Sequence, residues 1–186
     1  QEFARNRSFY HRGGITATGG EPLLQLAFLT ELFTKAKEKD IHTCLDTSGI
    51  VYTEKKKAAY EKLFAVTDLV LLDIKHSLTA EHRQLTGQSQ EPVLAFADVL
   101  EQAKVPVIIR HVAVPGITDL EEEWAQLGHL ISRWSNVKGL DILPYHTLGK
   151  KKYEELGMAY PLEGIPELTK EEARRAREIV LKHMSV

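Results

Sequence analysis

The sequence predicts an α/β fold with about five parallel strands in an open sheet. Short β-branched or apolar segments alternate with longer segments whose apolar residues recur at helical spacing, throughout the 186 residues. Such alternation is typical of a parallel sheet with right-handed crossovers. Five strands are too few for a closed eight-stranded barrel, and they fit an open barrel or a doubly wound sheet. No linker or low-complexity tract interrupts the pattern, so a single domain over residues 1–186 is expected.

The first half of the chain begins with a predicted strand over residues 13–18, which is rich in β-branched side chains and ends at Gly19-Gly20. Helical spacing follows over residues 23–39. A second strand is predicted over residues 41–46, where the turn residues Thr47-Ser48-Gly49 end it.

The middle of the chain repeats this order. A polar helix over residues 54–64 leads to a nearly continuous apolar run over residues 68–75, a pattern typical of a strand buried on both faces. A helix is predicted over residues 94–103 and a strand over residues 105–114, which Pro115-Gly116 closes.

The last part contains an amphipathic helix over residues 120–134 and a strand over residues 137–143. An irregular segment is predicted from there through Pro166. Thr169 then precedes the terminal helix, and Glu172 lies three residues further on, so the two are expected to form a capping box.

The composition excludes several classes of protein. Apolar residues make up 43% and charged residues 27%, which is typical of a globular domain. The net charge of −2 lacks the basic excess of a nucleic-acid-binding protein. Cys44 is the single cysteine, so an intrachain disulfide is excluded and a reducing compartment is favoured. Apolar runs stay shorter than the roughly 18–20 residues of a membrane span.

Polar groups lie at or near the ends of all five predicted strands, at the edge where parallel-sheet proteins gather their chemistry. Each has a structural explanation: Asp46 or Asp73 could cap the next segment, Gly19-Gly20 could be a plain turn, and His146 could be a loop histidine. Their joint occurrence favours a functional site. The segments are Gly19-Gly20-Glu21-Pro22, Asp46-Thr47, Asp73-Ile74-Lys75, Arg110 to Val112, and Tyr145-His146.

The residue types of this set indicate its ligand. Gly19 and Gly20 let their backbone approach a ligand closely, and Glu21 offers an acceptor for an ammonium group. Asp73 and Lys75 are expected on one strand face, where one accepts hydrogen bonds from hydroxyls and the other attracts a carboxylate. S-adenosylmethionine carries an ammonium, a carboxylate, a ribose and an apolar base, and would use the whole set.

The same segments resemble those of the activating enzymes for glycyl-radical enzymes, in the radical S-adenosylmethionine superfamily. The resemblance runs in order through most of the chain. The matching segments are Gly13 to Pro22, His42 to Gly49, Asp68 to Lys75, Ile109 to Gly116, and Leu143 to His146 with Leu148 to Lys150.

The resemblance implies a partial six-fold βα barrel of the radical S-adenosylmethionine type. The family's C-x3-C-x2-C motif, which holds a 4Fe–4S cluster, would lie before this chain. The iron–sulfur ligands and the first βα unit are therefore expected to be missing, and Cys44 is expected to be a core thiol.

The resemblance also implies a role for each residue at the strand ends. Gly20, with Gly19 and Glu21, would contact the amino group of S-adenosylmethionine. Asp73, Ile74 and Lys75 would lie near its ribose and carboxylate, Val112 against its adenine, and His146 beside the ligand. A monovalent cation would be held by Asp46, Thr47 and Asp73. No residue of this chain is expected to be catalytic, because the radical would be generated at the cluster.

The activity implied by the resemblance is reductive cleavage of S-adenosylmethionine to a 5′-deoxyadenosyl radical, which abstracts hydrogen from a glycine of a partner resembling pyruvate formate-lyase. An electron donor such as flavodoxin or ferredoxin and an anaerobic cytoplasm are implied with it. The chain alone is expected to be inactive. No nucleic-acid or membrane partner is expected.

Two other interpretations remain open at this point. A cluster-free barrel aldolase or lyase would use Lys75 as a Schiff-base nucleophile, with Asp46 or Asp73 as the acid–base group. Alternatively, the chain is a scaffold without catalysis. Borohydride trapping with a keto acid separates the lyase from the other two, because only a lyase lysine would be labelled.

Overall fold

A computed structural model describes residues 13–184, and it contains a sheet of five strands in the order β1-β2-β3-β4-β5. The strands are β1 (Gly14–Ala17), β2 (His42–Thr47), β3 (Leu69–Asp73), β4 (Val107–Ala113) and β5 (Val137–Pro144). The parallel register pairs Gly14 with His42 and Cys44 with Leu69. The predicted α/β class and the open sheet of parallel strands are confirmed.

Seven α-helices lie within residues 13–184, and three short 3-10 turns precede some of them. The helices are α1 (Leu26–Lys37), α2 (Lys57–Phe64), α3 (Thr79–Thr86), α4 (Glu91–Gln102), α5 (Glu121–Ile131), α6 (Lys150–Glu155) and α7 (Lys170–Met184). The 3-10 turns are Pro22–Gln25, Glu54–Lys56 and Thr147–Gly149. None of the helices in this part of the chain is long and apolar enough to cross a membrane.

Two of these helices were not predicted. Helix α3 is mostly polar and buries only His82, so it carries no apolar stripe in the sequence. Helix α6 lies in the segment predicted to be irregular, and none of its six residues is buried. The capping box is confirmed: Glu172 N donates to Thr169 Oγ1 at 3.2 Å, and Thr169 N donates to Glu172 Oε2 at 2.8 Å.

Strand β3 differs from its prediction in length and burial. It ends at Asp73, although Ile74 N still donates to Arg110 O at 2.9 Å, so Lys75 lies beyond the strand. That Asp73 and Lys75 share a face stays a prediction, although the strand predicted to place them there ends before Lys75. Val70 and Leu72 are fully buried, whereas Leu71 on the other face is only half-buried, so burial is complete on one face alone.

The described chain groups into two compact units, and the single domain over residues 1–186 stays a prediction. The first unit comprises the described residues up to Asp73, Ser89–Ile108 and Trp134–Gly139. Its core contains an aromatic cluster in which Phe96 lies 5.8 Å from Tyr52, 6.0 Å from Tyr60 and 5.8 Å from Phe64, measured between ring centroids. Burying these rings contributes much of the stability of this unit.

The second unit comprises Ile74–Gln88, Ile109–Arg133 and the described residues from Leu140 onward. Helices α5 and α7 pack closely here, because Gly128 brings the α5 backbone against α7. A Cβ at Gly128 would lie 2.5 Å from Val180 O, so only glycine allows this approach. The core of the unit includes Leu127, Ile131 and Val180, all fully buried.

Candidate functional site

The loop after β1 contains Gly19 and Gly20, whose backbone is exposed and not covered by side chains. Gly19 has a φ of 137°, a conformation that favours glycine, and both Gly19 and Gly20 are exposed. A Cβ built on either residue would meet no heavy atom within 4 Å. A ligand can therefore approach the N–H and C=O groups of this loop without a steric barrier.

The Glu21 carboxylate is bound to the end of β2. Its Oε1 atom accepts hydrogen bonds from Leu23 N at 3.1 Å and Thr47 Oγ1 at 2.6 Å. Its Oε2 atom accepts from Ser48 N at 3.2 Å and Ser48 Oγ at 2.7 Å. The structure thus brings Glu21 and Thr47 together, as their shared position at the strand ends implies.

A second connection between the ends of β1 and β2 is a hydrogen bond from Thr18, the residue before the glycine pair. Thr18 Oγ1 donates to Asp46 Oδ2 at 3.1 Å, and Asp46 is half-buried. Thr47 is almost fully buried, and its Oγ1 atom accepts from Gly49 N at 3.0 Å. Asp73, half-buried, is the last residue of β3.

A metal centre built from several acidic, histidine or cysteine side chains is not present in the described residues, since they contain no group of three or more such side chains able to hold a metal. Cys44 is buried within β2, as predicted for a core thiol, and it is the single cysteine of the sequence. A 4Fe–4S cluster needs about three or four thiolate ligands, so it does not fit this chain, which has one cysteine.

The second unit contains the other predicted site residues. Ile74 is fully buried, Lys75 and Val112 are half-buried, and His146 is exposed directly after Tyr145. Tyr145 N donates to Ala113 O at 3.1 Å, which holds the segment after β5 beside the end of β4.

Burial raises the pKa of Tyr145 to about 12, and the hydrogen bond between its hydroxyl and that of Tyr160, at 2.8 Å, acts in the same direction. The Tyr145 hydroxyl therefore stays protonated at neutral pH.

The segment after Lys75 is held by a buried carboxylate that the sequence analysis missed. Glu123, on α5, accepts hydrogen bonds from Ser77 N at 2.7 Å and Ser77 Oγ at 2.5 Å. The Nδ1 atom of His76 lies 3.1 Å from Glu123 Oε2. The sequence does indicate that this carboxylate is buried, because Glu123 lies four residues before Leu127 and eight before Ile131, on the apolar stripe of the helix.

A family model and solved structures identify the class of this fold. The model of the Radical SAM superfamily matches residues 1–128. A solved domain of a pyruvate-formate lyase-activating enzyme from Bacteroides vulgatus aligns with a TM-score of 0.72 and 20% identity, and covers 92% of this chain and 94% of that chain. Streptococcus suis SuiB bound to S-adenosylmethionine aligns with a TM-score of 0.57 and 14% identity, over 77% of this chain and 34% of that chain. At these identities the structures show the fold alone.

Curated relatives are considerably more similar in sequence. The pyruvate formate-lyase-activating enzyme of Streptococcus mutans is 47% identical over 183 residues, which are 97% of this chain and 70% of the relative. The enzyme of the same name from Staphylococcus aureus is 47% identical over 155 residues, 82% of this chain and 62% of the relative. The chain thus spans between 62% and 70% of these relatives' lengths. It belongs to the radical SAM superfamily and, within it, to the family of pyruvate formate-lyase-activating enzymes.

Proposed function

We propose that this chain is the S-adenosylmethionine-binding part of a glycyl-radical activating enzyme whose partner is pyruvate formate-lyase. The identity of 47% to the Streptococcus mutans enzyme of that name, over 97% of this chain, carries the proposal. The open glycine loop after β1 supports it, because bare backbone in open space suits the amino-acid part of the ligand. When bound and cleaved, S-adenosylmethionine supplies the 5′-deoxyadenosyl radical that removes hydrogen from a glycine of the partner.

The residues of this chain bind and orient that ligand. We assign the amino group to the backbone of Gly19 and Gly20, with Glu21 beside them. The ribose and carboxylate are assigned to Asp73, Ile74 and Lys75, whose charged members provide hydrogen-bond acceptors and a cation.

The remaining assignments place Val112 against the adenine and His146 beside the ligand. Asp46, Thr47 and Asp73 are assigned to a monovalent cation, which would neutralise the carboxylates of Asp46 and Asp73 and attract the ligand carboxylate.

The cluster lies outside these residues in the proposal, because Cys44 alone cannot supply its ligands. The 186 residues are accordingly inactive alone, and the complete enzyme takes its electron from a donor such as flavodoxin or ferredoxin in an anaerobic cytoplasm.

Reconstitution with iron and sulfide tests where the cluster is held. After anaerobic incubation, the purified chain is expected to show no stoichiometric iron and no iron–sulfur absorbance, because a single buried thiol cannot hold the metal. Cys44→Ala is the matched variant and should give the same spectrum. A stoichiometric cluster that disappears in Cys44→Ala would contradict the assignment of Cys44 to the core.

The proposed activity is tested by placing a family segment with the C-x3-C-x2-C motif before Gln1. With reductant, S-adenosylmethionine and pyruvate formate-lyase under anaerobic conditions, this protein should generate a glycyl radical visible by electron paramagnetic resonance. Asp73→Ala should lower the yield at least about tenfold, the loss of one charge-assisted hydrogen bond. Glu178→Ala, an exposed change on α7, is the control and should retain full yield. A reconstituted cluster without any glycyl radical would argue against pyruvate formate-lyase as the partner.

A further inference from the structure

Side-chain hydrogen bonds connect the Gly19-Gly20 loop to the end of β2 both before and after the two glycines. Before the glycines, the Thr18 hydroxyl donates to Asp46. After them, Glu21 accepts from the hydroxyls of Thr47 and Ser48. The two glycines have no side chains of their own to form contacts, so these flanking hydrogen bonds restrain where their backbone lies.

Glu21 has no acceptor capacity left for a ligand. A carboxylate offers about four lone-pair sites, two on each oxygen. Leu23 N and Thr47 Oγ1 fill Oε1, while Ser48 N and Ser48 Oγ fill Oε2. An ammonium group could bind this carboxylate only by displacing one of these four donors, which would then lose its partner.

The partners of Glu21 are themselves held in place. The Thr47 hydroxyl donates to Glu21 and accepts from Gly49 N at 3.0 Å, so its orientation is determined from both sides. The chain turns at Gly49 against Phe96: a Cβ on Gly49 would lie 2.7 Å from Phe96 Cδ1. The carboxylate is therefore bound to a rigid part of the first unit.

From this geometry we propose that Glu21 is a positioning residue: it fixes the Gly19-Gly20 backbone against the end of β2 and does not itself bind the ammonium group of the ligand. This inference rests on the proposed function for the identity of the ligand, S-adenosylmethionine. A loop already held in its binding conformation loses less entropy when the ligand binds, which is how Glu21 contributes to affinity.

The first experiment uses the ligand-free chain of 186 residues and nuclear magnetic resonance. Glu21→Gln should shift the amide signals of Gly19 and Gly20 and speed hydrogen exchange at either Leu23 or Ser48, whichever faces the new amide nitrogen, because that nitrogen cannot accept a hydrogen bond and only one oxygen remains. Glu31→Gln, on the exposed face of α1, is the matched control and should leave these signals unchanged. Unchanged glycine signals in Glu21→Gln would overturn the proposal.

The second experiment measures affinity for S-adenosylmethionine in Glu21→Gln, Ser48→Ala and the double variant. Each single change should weaken binding by about threefold to tenfold, the effect of one or two hydrogen bonds. The double variant should be no weaker than Glu21→Gln, because both changes break the same connection. Glu21→Asp keeps the charge but shortens the reach, and should resemble Glu21→Gln.

The outcomes separate the two proposals. Additive losses in the double variant, or full affinity in Glu21→Asp, would mean that Glu21 acts on the ligand through its charge, and would overturn the positioning role. If the unchanged chain binds no S-adenosylmethionine, the proposed function fails. The glycine signals and amide exchange of the ligand-free chain still decide the role of Glu21 in that case.

Discussion

Replacing Gly49 by alanine is expected to lower the free energy of unfolding by about 2–4 kcal/mol. Two effects add. Gly49 has a φ of 69°, which costs a residue with a side chain about 1–2 kcal/mol. The new methyl would also lie 2.7 Å from Phe96 Cδ1, inside the aromatic cluster of the first unit. Urea denaturation followed by circular dichroism measures the change.

Gly157→Ala is the matched control for this substitution. Gly157 has a similar φ of 66°, but a Cβ there would meet no heavy atom within 4 Å. It should lose only the backbone contribution of about 1–2 kcal/mol. Equal losses in the two variants would show that Phe96 moves aside at no cost, and that the turn after β2 is less rigid than described.

Acidification is expected to destabilise the chain between neutral pH and about pH 5, through histidines that are buried in the second unit. Burial lowers the pKa of His111 below its ordinary value of 6.5, an effect that Glu123 partly opposes. His111 is 1% exposed, and its Nδ1 atom lies 2.8 Å from Ile74 O. Burial lowers the pKa of His82 as well, and electrostatic repulsion from the neighbouring His76 and Lys75 acts in the same direction.

The direction in which stability changes with pH follows from the number of protons that each state binds. Below pH 6.5 the unfolded chain protonates these imidazoles while the folded chain keeps them neutral, so the unfolded state binds more protons and stability falls with pH. One histidine can contribute a slope of at most about 1.4 kcal/mol per pH unit. Urea midpoints measured from pH 7.5 down to about pH 5 follow this loss.

The variant His82→Leu tests whether His82 contributes to this loss of stability at low pH. Neither ring nitrogen of His82 has a hydrogen-bond partner within the described residues, so leucine removes a desolvated polar group without breaking a bond. This variant should be at least as stable as the original chain at pH 7.5 and should lose less stability on acidification. Identical midpoints at both ends of the pH range in the original chain would contradict the prediction.

The sequence predicted four of the five strand ends to within one residue, because the glycine, proline and turn residues near them are local signals, whereas β3 ends two residues earlier than predicted. Helix α3 was missed for the opposite reason, since its polar residues follow no apolar period. The role of Glu21 could not be predicted from local pattern. Its partners Thr47 and Ser48 lie 26 and 27 residues away, and only the register of β1 against β2 brings them to it.

The site residues also divide into those that local sequence reveals and those that only their neighbours in the structure reveal. Gly19 and Gly20 were predicted because glycine pairs after a strand are visible in the sequence, and their open surroundings agree with a binding role. Glu123 was overlooked because a carboxylate on an apolar stripe becomes informative only once Ser77 and His76 are seen beside it.

The affinity expected of this chain for S-adenosylmethionine follows from the free energy of its hydrogen bonds to the ligand and the cost of ordering the ligand. Three or four hydrogen bonds from the assigned residues contribute about 0.5–1.5 kcal/mol each, or up to ~3 kcal/mol where charged. Ordering the ligand costs at least ~4 kcal/mol. With two charge-assisted bonds of about 3 kcal/mol and two neutral ones of about 1 kcal/mol, about 4 kcal/mol remains, which corresponds to a Kd of about 1 mM.

Titration of the chain with S-adenosylmethionine, by calorimetry or ligand-observed nuclear magnetic resonance, tests the assigned site most directly. The account predicts millimolar binding that Asp73→Ala, Lys75→Ala and Gly20→Ala each weaken, the last because its methyl enters the open space in front of the loop. Glu178→Ala should bind as the original chain does. Absence of binding, or binding that all three site variants leave unchanged, would contradict the assignment of S-adenosylmethionine to these strand ends.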